Sequence, residues 1–206
     1  MNRLVRMLLA LSVLLGAAAA LTAQDKLAET PYYPLHVGTT WHYKAGERNI
    51  TIRVAKHEKV GETLCALLEV LRDDKVIASE HLAVTGEGVY RHDQTSKDKS
   101  GKATTETLKP PFLVLRLPPK KGEKWQVDSQ ADGKPIRGTF QVAEEEVKVP
   151  AGTYKAFAVA GQDLEISGLR SSVTTYYASG VGMVKQVIQI GNTKTEFELT
   201  KFEAGK

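Results

Sequence analysis

The chain has 206 residues, of which 42% are hydrophobic and 25% are charged, and its formal net charge is +4. A chain of this length suits one domain with a sizeable core. Without Arg3 and Arg6 the balance is 26 basic against 24 acidic residues, which is too even to predict a nucleic acid or an anionic membrane as partner. The sole cysteine, Cys65, excludes an internal disulfide, so the fold must depend on core burial.

The first 23 residues have the three parts of a secretory signal peptide. Arg3 and Arg6 provide a positively charged start, and an apolar run and then small residues follow. Cleavage is expected after Ala20 or Ala23, and an uncleaved N-terminal anchor is the alternative. The apolar run is shorter than the roughly 20 residues of a spanning helix, and no later segment is apolar enough to cross a bilayer. We therefore expect an exported, periplasmic or extracellular protein that does not span the membrane after cleavage.

A polar lead-in over residues 24–37 precedes a single antiparallel β domain, which is predicted over residues 38–206. From Gly38 onward, short runs with apolar residues at alternate positions are separated by Gly, Pro, Asn and Asp, which is typical of strands in a sandwich or barrel. No segment favours a long amphipathic helix. The main predicted strands are, in chain order, 39–44, 49–57, 64–70, 75–84, 89–92, 112–117, 136–149, 154–166, 171–177, 183–190 and 194–202.

Two connections between these strands have distinct compositions. The dipeptide Asp73-Asp74 predicts the tip of a hairpin. Residues 94–105 contain no large apolar side chain, so they cannot bury enough surface to offset the entropy of ordering them. This stretch is predicted to be a mobile hairpin tip, with a basic ligand-binding loop as the alternative.

About ten or eleven strands joined by short turns favour a strongly curved antiparallel meander. Open twisted sheets rarely exceed about ten strands, so the sheet is expected to curl, to close or to split into two packed sheets. The predicted fold is therefore all-β. An open or half barrel, a two-sheet sandwich and a closed barrel all remain compatible with the pattern.

No motif in the chain indicates catalysis, a metal or a cofactor. None of the five histidines lies at zinc-site spacing from another His or from Cys65, and there is no Gly-x-Ser-x-Gly motif. Cys65 lies in an apolar run, which is expected to raise its pKa and to make it a poor nucleophile. We therefore predict no cofactor and no catalytic residue.

Three segments together resemble a group of secreted bacterial proteins of unknown function. They are Tyr-Tyr-Pro-Leu-His-Val-Gly-Thr-Thr-Trp-His-Tyr at 32–43, Val-Lys-Val-Pro-Ala-Gly-Thr-Tyr-Lys-Ala-Phe at 147–157, and Tyr-Tyr-Ala-Ser-Gly-Val-Gly-Met-Val-Lys at 176–185. The resemblance implies a curved antiparallel sheet that is distantly similar to the lipoprotein-carrier superfamily, whose members have an open or half barrel. It implies no catalytic residues.

The leading functional hypothesis is non-catalytic binding of an apolar or lipid-like molecule by a monomer. A strongly curved sheet has an inner face that side chains, a helix or a ligand must cover. A structural or protein-interaction module of the cell envelope is the alternative, and a hydrolase-type enzyme is the third reading. The residues predicted to line the inner face are Trp41, Tyr43, Phe112, Leu115, Trp125, Phe140, Phe157 and Tyr177.

Overall fold

The computed structural model describes residues 26–166 and 168–206. The predicted signal peptide, residues 1–23, lies outside this part of the chain. The described residues form twelve strands and no helix. Nowhere in the described chain is there a helix with the length and apolar character needed to cross a membrane. The strands are β1 (Thr40–Ala45), β2 (Arg48–Val60), β3 (Thr63–Arg72), β4 (Lys75–Val84), β5 (Gly88–Lys97), β6 (Ala103–Arg116), β7 (Lys124–Ala131), β8 (Lys134–Val149), β9 (Gly152–Ile166), β10 (Leu169–Ala178), β11 (Gly182–Ile190) and β12 (Thr193–Glu203).

The twelve strands close into one antiparallel barrel in which each strand pairs with the next and β12 pairs with β1. The all-β antiparallel prediction is confirmed, but the open or half barrel is wrong, as are the sandwich and the count of ten or eleven strands. Closure depends on cross-strand pairs such as Trp41 with Phe202 and His42 with Lys201. These pairs remove the two free edges that an open sheet would expose.

Alternation of apolar and polar side chains explains why these segments are strands. In β7, Trp125 and Val127 are buried while Gln126 and Asp128 are exposed, as a period of two requires. The dipeptide Asp73-Asp74 joins β3 to β4 with φ values of 51° and 60°. Two consecutive positive φ values are those of the tight turn that suits the twist of a two-residue hairpin, so the predicted hairpin tip is confirmed.

The stretch over residues 94–105, predicted to be a mobile tip, is mostly strand. β5 continues to Lys97 and β6 begins at Ala103. Cross-strand bonds between polar side chains join the two strands, with 2.8 Å between the Thr95 and Thr105 hydroxyl oxygens. In the turn, the Asp98 carboxylate accepts a hydrogen bond from the backbone N–H of Ser100 at 2.8 Å. Backbone pairing of β5 with β4 and β6 therefore places in strands a segment that has no large apolar side chain of its own.

The described part of the lead-in, residues 26–37, crosses one end of the barrel and packs into its core. Tyr33 and Leu35 are buried, and the Tyr33 ring lies 5.7 Å from that of Trp41 and 5.8 Å from that of Tyr177. The backbone N–H of Gly180, in the turn between β10 and β11, donates to the Pro31 carbonyl at 2.8 Å. We call this the closed end. The opposite end, which we call the open end, is formed by the hairpin turns at 45–48, 72–75, 97–103, 131–134 and 190–193 and by the connection from β9 to β10.

The seam between β6 and β7 has the fewest backbone pairs of the barrel. Its two register pairs are Leu108 with Ala131 and Lys109 with Gln130. Pro110 and Pro111 follow on β6, and neither has a backbone N–H to offer. Beyond them, ring packing replaces hydrogen bonding. Phe140 lies at ring-centroid distances of 5.9 Å from Phe112 and 5.5 Å from Trp125.

Candidate functional site: a cavity in the barrel

A cavity of about 320 Å³, partly open to solvent, lies inside the barrel between its middle and the open end. Eight strands contribute to its wall, namely β2 to β6 and β10 to β12, and Tyr33 of the lead-in also lines it. Most of the wall is aliphatic or aromatic. The apolar lining residues are Ile50, Ile52, Val70, Ala78, Leu82, Val114, Met183, Ile188 and Phe197.

Two charged side chains, Glu80 of β4 and Arg91 of β5, line the barrel cavity and form an ion pair with each other. The Nε–H of Arg91 donates to Oε2 of Glu80. Their side chains retain exposures of 15% for Glu80 and 29% for Arg91, because both face the cavity. Glu80 pairs across the ladder with Leu68, which is fully buried, so the register directs this carboxylate inward.

The charges in the cavity are balanced. Burial tends to lower the pKa of the Arg91 guanidinium, but the adjacent Glu80 carboxylate outweighs this and the pKa is raised overall. Deep burial raises the pKa of the Tyr33 phenol, and the negative charge of Glu80 adds to this rise. Burial also raises the pKa of Tyr177. The cavity therefore presents one cation, one carboxylate and two neutral phenols.

Of the eight residues predicted to line an inner pocket, Tyr177 lines the barrel cavity and the other seven do not. Trp41, Tyr43, Leu115, Trp125 and Phe140 are buried in the core, whereas Phe112 and Phe157 are partly buried against it. These seven side chains pack in or against the core, and the cavity is lined mostly by other aliphatic and polar side chains.

The two aromatic residues of β1 have structural partners at the closed end. The Trp41 indole N–H donates to the Val181 carbonyl at 2.6 Å, and the Tyr43 hydroxyl donates to the Met183 carbonyl at 2.7 Å. Both acceptors are backbone groups next to the β10–β11 turn. Satisfied buried polar groups of this kind stabilise a fold and leave nothing for a ligand to bind.

Sequence reasoning missed Tyr33, Glu80 and Arg91. The sequence did contain an indication of this site. Alternate residues of β4 share one face, and Glu80 places a charge between the apolar Ala78 and Leu82 on that face. The opposite face of β4 also carries apolar residues, so the sequence alone does not show which face points into the barrel. A register shift between His81 and Leu82 adds to the ambiguity.

A second titratable cluster lies on the outer face of β2 to β5. His81 contacts Asp93 through Nδ1 at 2.8 Å and Glu58 through Nε2 at 3.1 Å. Cys65 is buried and pairs across the ladder with Glu58 of this cluster, and burial raises the pKa of its thiol to about 11. Among the described residues, no group of three or more His, Cys, Asp or Glu side chains is arranged to hold a metal ion.

Comparisons with known proteins find no related sequence and two distantly similar structures. No protein-family model matches the chain, and no curated protein matches it. Two solved structures are similar. One, a "putative lipoprotein" from Parabacteroides distasonis, has 12% identity and a TM-score of 0.42, with 85% of this chain and 100% of the other covered. The other, a "putative exported protein with YmcC-like fold" from Bacteroides fragilis, has 11% identity and a TM-score of 0.49 over the same shares. At these values neither likeness bears on function, and the resemblance carried by the three sequence segments stays a prediction.

Proposed function

We propose that the mature protein is an exported, monomeric and non-catalytic binding domain that holds an apolar or lipid-like small molecule in the barrel cavity. The observation that carries this proposal is the cavity itself, open at one end and walled mainly by apolar side chains. Barrels of about eight strands can fill their interior with side chains, and wider ones leave room for a ligand or a channel. Twelve strands exceed what side chains alone fill.

The size and the chemistry of the cavity support a small apolar occupant. Its volume of about 320 Å³ lies at the lower end of the roughly 300–1,000 Å³ range of ligand pockets. At about 30 Å³ for each water molecule, it corresponds to roughly ten waters. Each methylene that leaves water for this wall contributes about 0.8 kcal/mol. A chain of roughly ten carbons would therefore gain several kcal/mol before entropic costs.

The test is binding of an apolar fluorescent probe, N-phenyl-1-naphthylamine, to the purified mature protein. The variant Ala78→Phe places a ring in the barrel cavity, whereas Thr174→Phe places the same ring on β10 at a position that does not line the cavity. We expect at least a tenfold loss of probe affinity for Ala78→Phe and no change for Thr174→Phe, with similar melting temperatures. Equal binding by both variants, or no binding by the wild type, would refute the proposal.

A second candidate function is protein interaction through a strand edge, and the sparsely paired β6–β7 seam favours it. Only Leu108 and Lys109 of β6 pair with β7 among the residues described. Strand edges with free backbone groups can pair with another chain. A partner captured reproducibly from an envelope extract, together with no probe binding, would favour this function over ligand binding.

A further inference from the structure

We infer that the barrel cavity selects a neutral amphiphile whose polar end accepts hydrogen bonds, and that it discriminates against carboxylates and ammonium ions carrying the same chain. This inference rests on the proposed ligand-binding function and names the class of ligand. The juxtaposition that carries it is the Glu80–Arg91 ion pair set into an otherwise apolar wall.

The first step concerns the hydrogen-bond donors of Arg91. A guanidinium has five N–H donors. Within the described chain, its one hydrogen bond runs from Nε to Glu80, so four donors on the two Nη atoms have no protein acceptor. The side chain keeps 29% exposure at the cavity wall. A ligand entering the cavity thus meets donors that need an acceptor once water is displaced.

The second step concerns charge. Glu80 and Arg91 are the charged side chains of the lining, and they neutralise each other. A carboxylate ligand would bring an uncompensated negative charge next to Glu80, and an ammonium ligand would bring a positive charge next to Arg91. Charges buried without a partner are costly in a low-dielectric site. A hydroxyl, ketone or ester can accept from the Nη groups and adds no net charge.

The third step concerns the phenols at the inner side of the cavity. Tyr33 and Tyr177 both line it, and burial raises the pKa of each. Both therefore remain neutral over the pH range in which proteins are handled, and neither offsets the charge of an ionic ligand. The balance of the site depends on Glu80 and Arg91 alone.

The experiment is displacement of the fluorescent probe by three compounds with the same ten-carbon chain, namely 1-decanol, decanoate and decylammonium, at pH 8. The wild type is expected to bind decanol at least tenfold more tightly than either ion. In Glu80→Gln, Arg91 loses its counter-charge, so the decanoate-to-decanol affinity ratio should rise at least tenfold. In Arg91→Gln, the decylammonium-to-decanol ratio should rise instead.

The matched control is Glu69→Gln, which removes the carboxylate of the Arg53–Glu69 pair between β2 and β3, with 2.7 Å between Nη2 and Oε2. Neither residue of this pair lines the cavity, so all affinity ratios should stay at their wild-type values. If Glu80→Gln does not fold, the order of the three affinities measured with the wild-type protein is sufficient to test the inference. An ion that binds as tightly as decanol would overturn this inference and leave the proposed function intact. If none of the three compounds displaces the probe, this inference fails, and the binding of the probe to the wild type and to Ala78→Phe decides the proposed function separately.

Discussion

The two ends of the barrel differ in what fills them. At the closed end, Tyr33 of the lead-in is buried and packs against the rings of Trp41 and Tyr177. Toward the open end, the wall carries shorter aliphatic and polar side chains around a cavity of about 320 Å³. A twelve-stranded barrel encloses more space than its own strands fill. The lead-in supplies filling at one end only, which leaves the other end available to a ligand.

Polar groups are handled differently in the two regions. Near the closed end, Trp41 and Tyr43 each donate to a backbone carbonyl, and their donors are used up. In the cavity, the Nε–H of Arg91 donates a hydrogen bond to Glu80, and the N–H donors of its two Nη atoms remain available to a ligand. Groups of the first kind hold a fold together, and groups of the second kind favour recognition. Four experiments test this contrast, in order of decreasing expected effect.

The largest effect is expected at the closed end. Trp41→Ala removes a side chain with 1% exposure together with its hydrogen bond to Val181. Large aromatic-to-Ala changes in cores cost about 3–5 kcal/mol, so we expect a loss of about 4 kcal/mol in the free energy of unfolding, measured with urea. Ile188→Ala, at the cavity wall, should cost about 2 kcal/mol less. Equal losses would mean that the two regions are packed alike.

Cysteine labelling tests how well the barrel is sealed on the outer side of β3. Raising the pKa of Cys65 from 9.0 to about 11 lowers the thiolate fraction at pH 8 about a hundredfold. Iodoacetamide should therefore label Cys65 at least a hundredfold more slowly than a cysteine introduced at the cavity wall in Cys65→Ala/Ser96→Cys. Because the pKa is raised, the labelling rate of Cys65 should still increase about tenfold per pH unit at pH 10. A labelling rate that levels off by about pH 10, as expected for a thiol with the ordinary pKa of 9.0, would contradict the buried environment.

Breaking the ion pair in the cavity should cost less than removing Trp41. Glu80→Gln leaves Arg91 without its counter-charge, and we expect the free energy of unfolding to fall by about 2 kcal/mol. This is less than the roughly 3–5 kcal/mol lost when a fully buried pair is broken, because the cavity admits water. Glu69→Gln, at the outer Arg53–Glu69 pair, should cost less than about 0.5 kcal/mol. Thermal unfolding of both variants measures the difference. Similar losses would mean that the inner pair behaves like a surface pair.

The smallest effect concerns the contact between the β10–β11 turn and the lead-in. A Cβ at Gly182 would lie 3.2 Å from Cδ of Pro34, and this glycine has a φ of +89°. Gly180 has a φ of +79° with no atom near the Cβ position. Gly180→Ala and Gly182→Ala should each lower the free energy of unfolding by about 1 kcal/mol because of the backbone conformation. Gly182→Ala should cost about 1 kcal/mol more, and equal melting temperatures would argue against tight docking of the lead-in.

Much of the local structure could be predicted from the sequence. Alternation placed Trp41 and Tyr43 on one buried face, and Asp73-Asp74 marked a hairpin. The strands within residues 94–105 could not be predicted, because pairing with neighbouring strands forms them and those residues lack large apolar side chains. The cavity residues were missed because both faces of β4 carry apolar side chains, so that only the register with Leu68 reveals that Glu80 faces inward.

The sequence by itself determined most of the strands, the Asp73-Asp74 turn and the antiparallel class, because period-two alternation and turn chemistry are local properties. Export rests on a segment outside the described residues and stays a prediction. Only the tertiary structure decided that β1 pairs with β12, that the lead-in fills one end, and that Glu80 meets Arg91 inside. These outcomes depend on contacts between residues distant in the chain and on the width of a closed twelve-stranded sheet, neither of which is encoded in the pattern of any single segment.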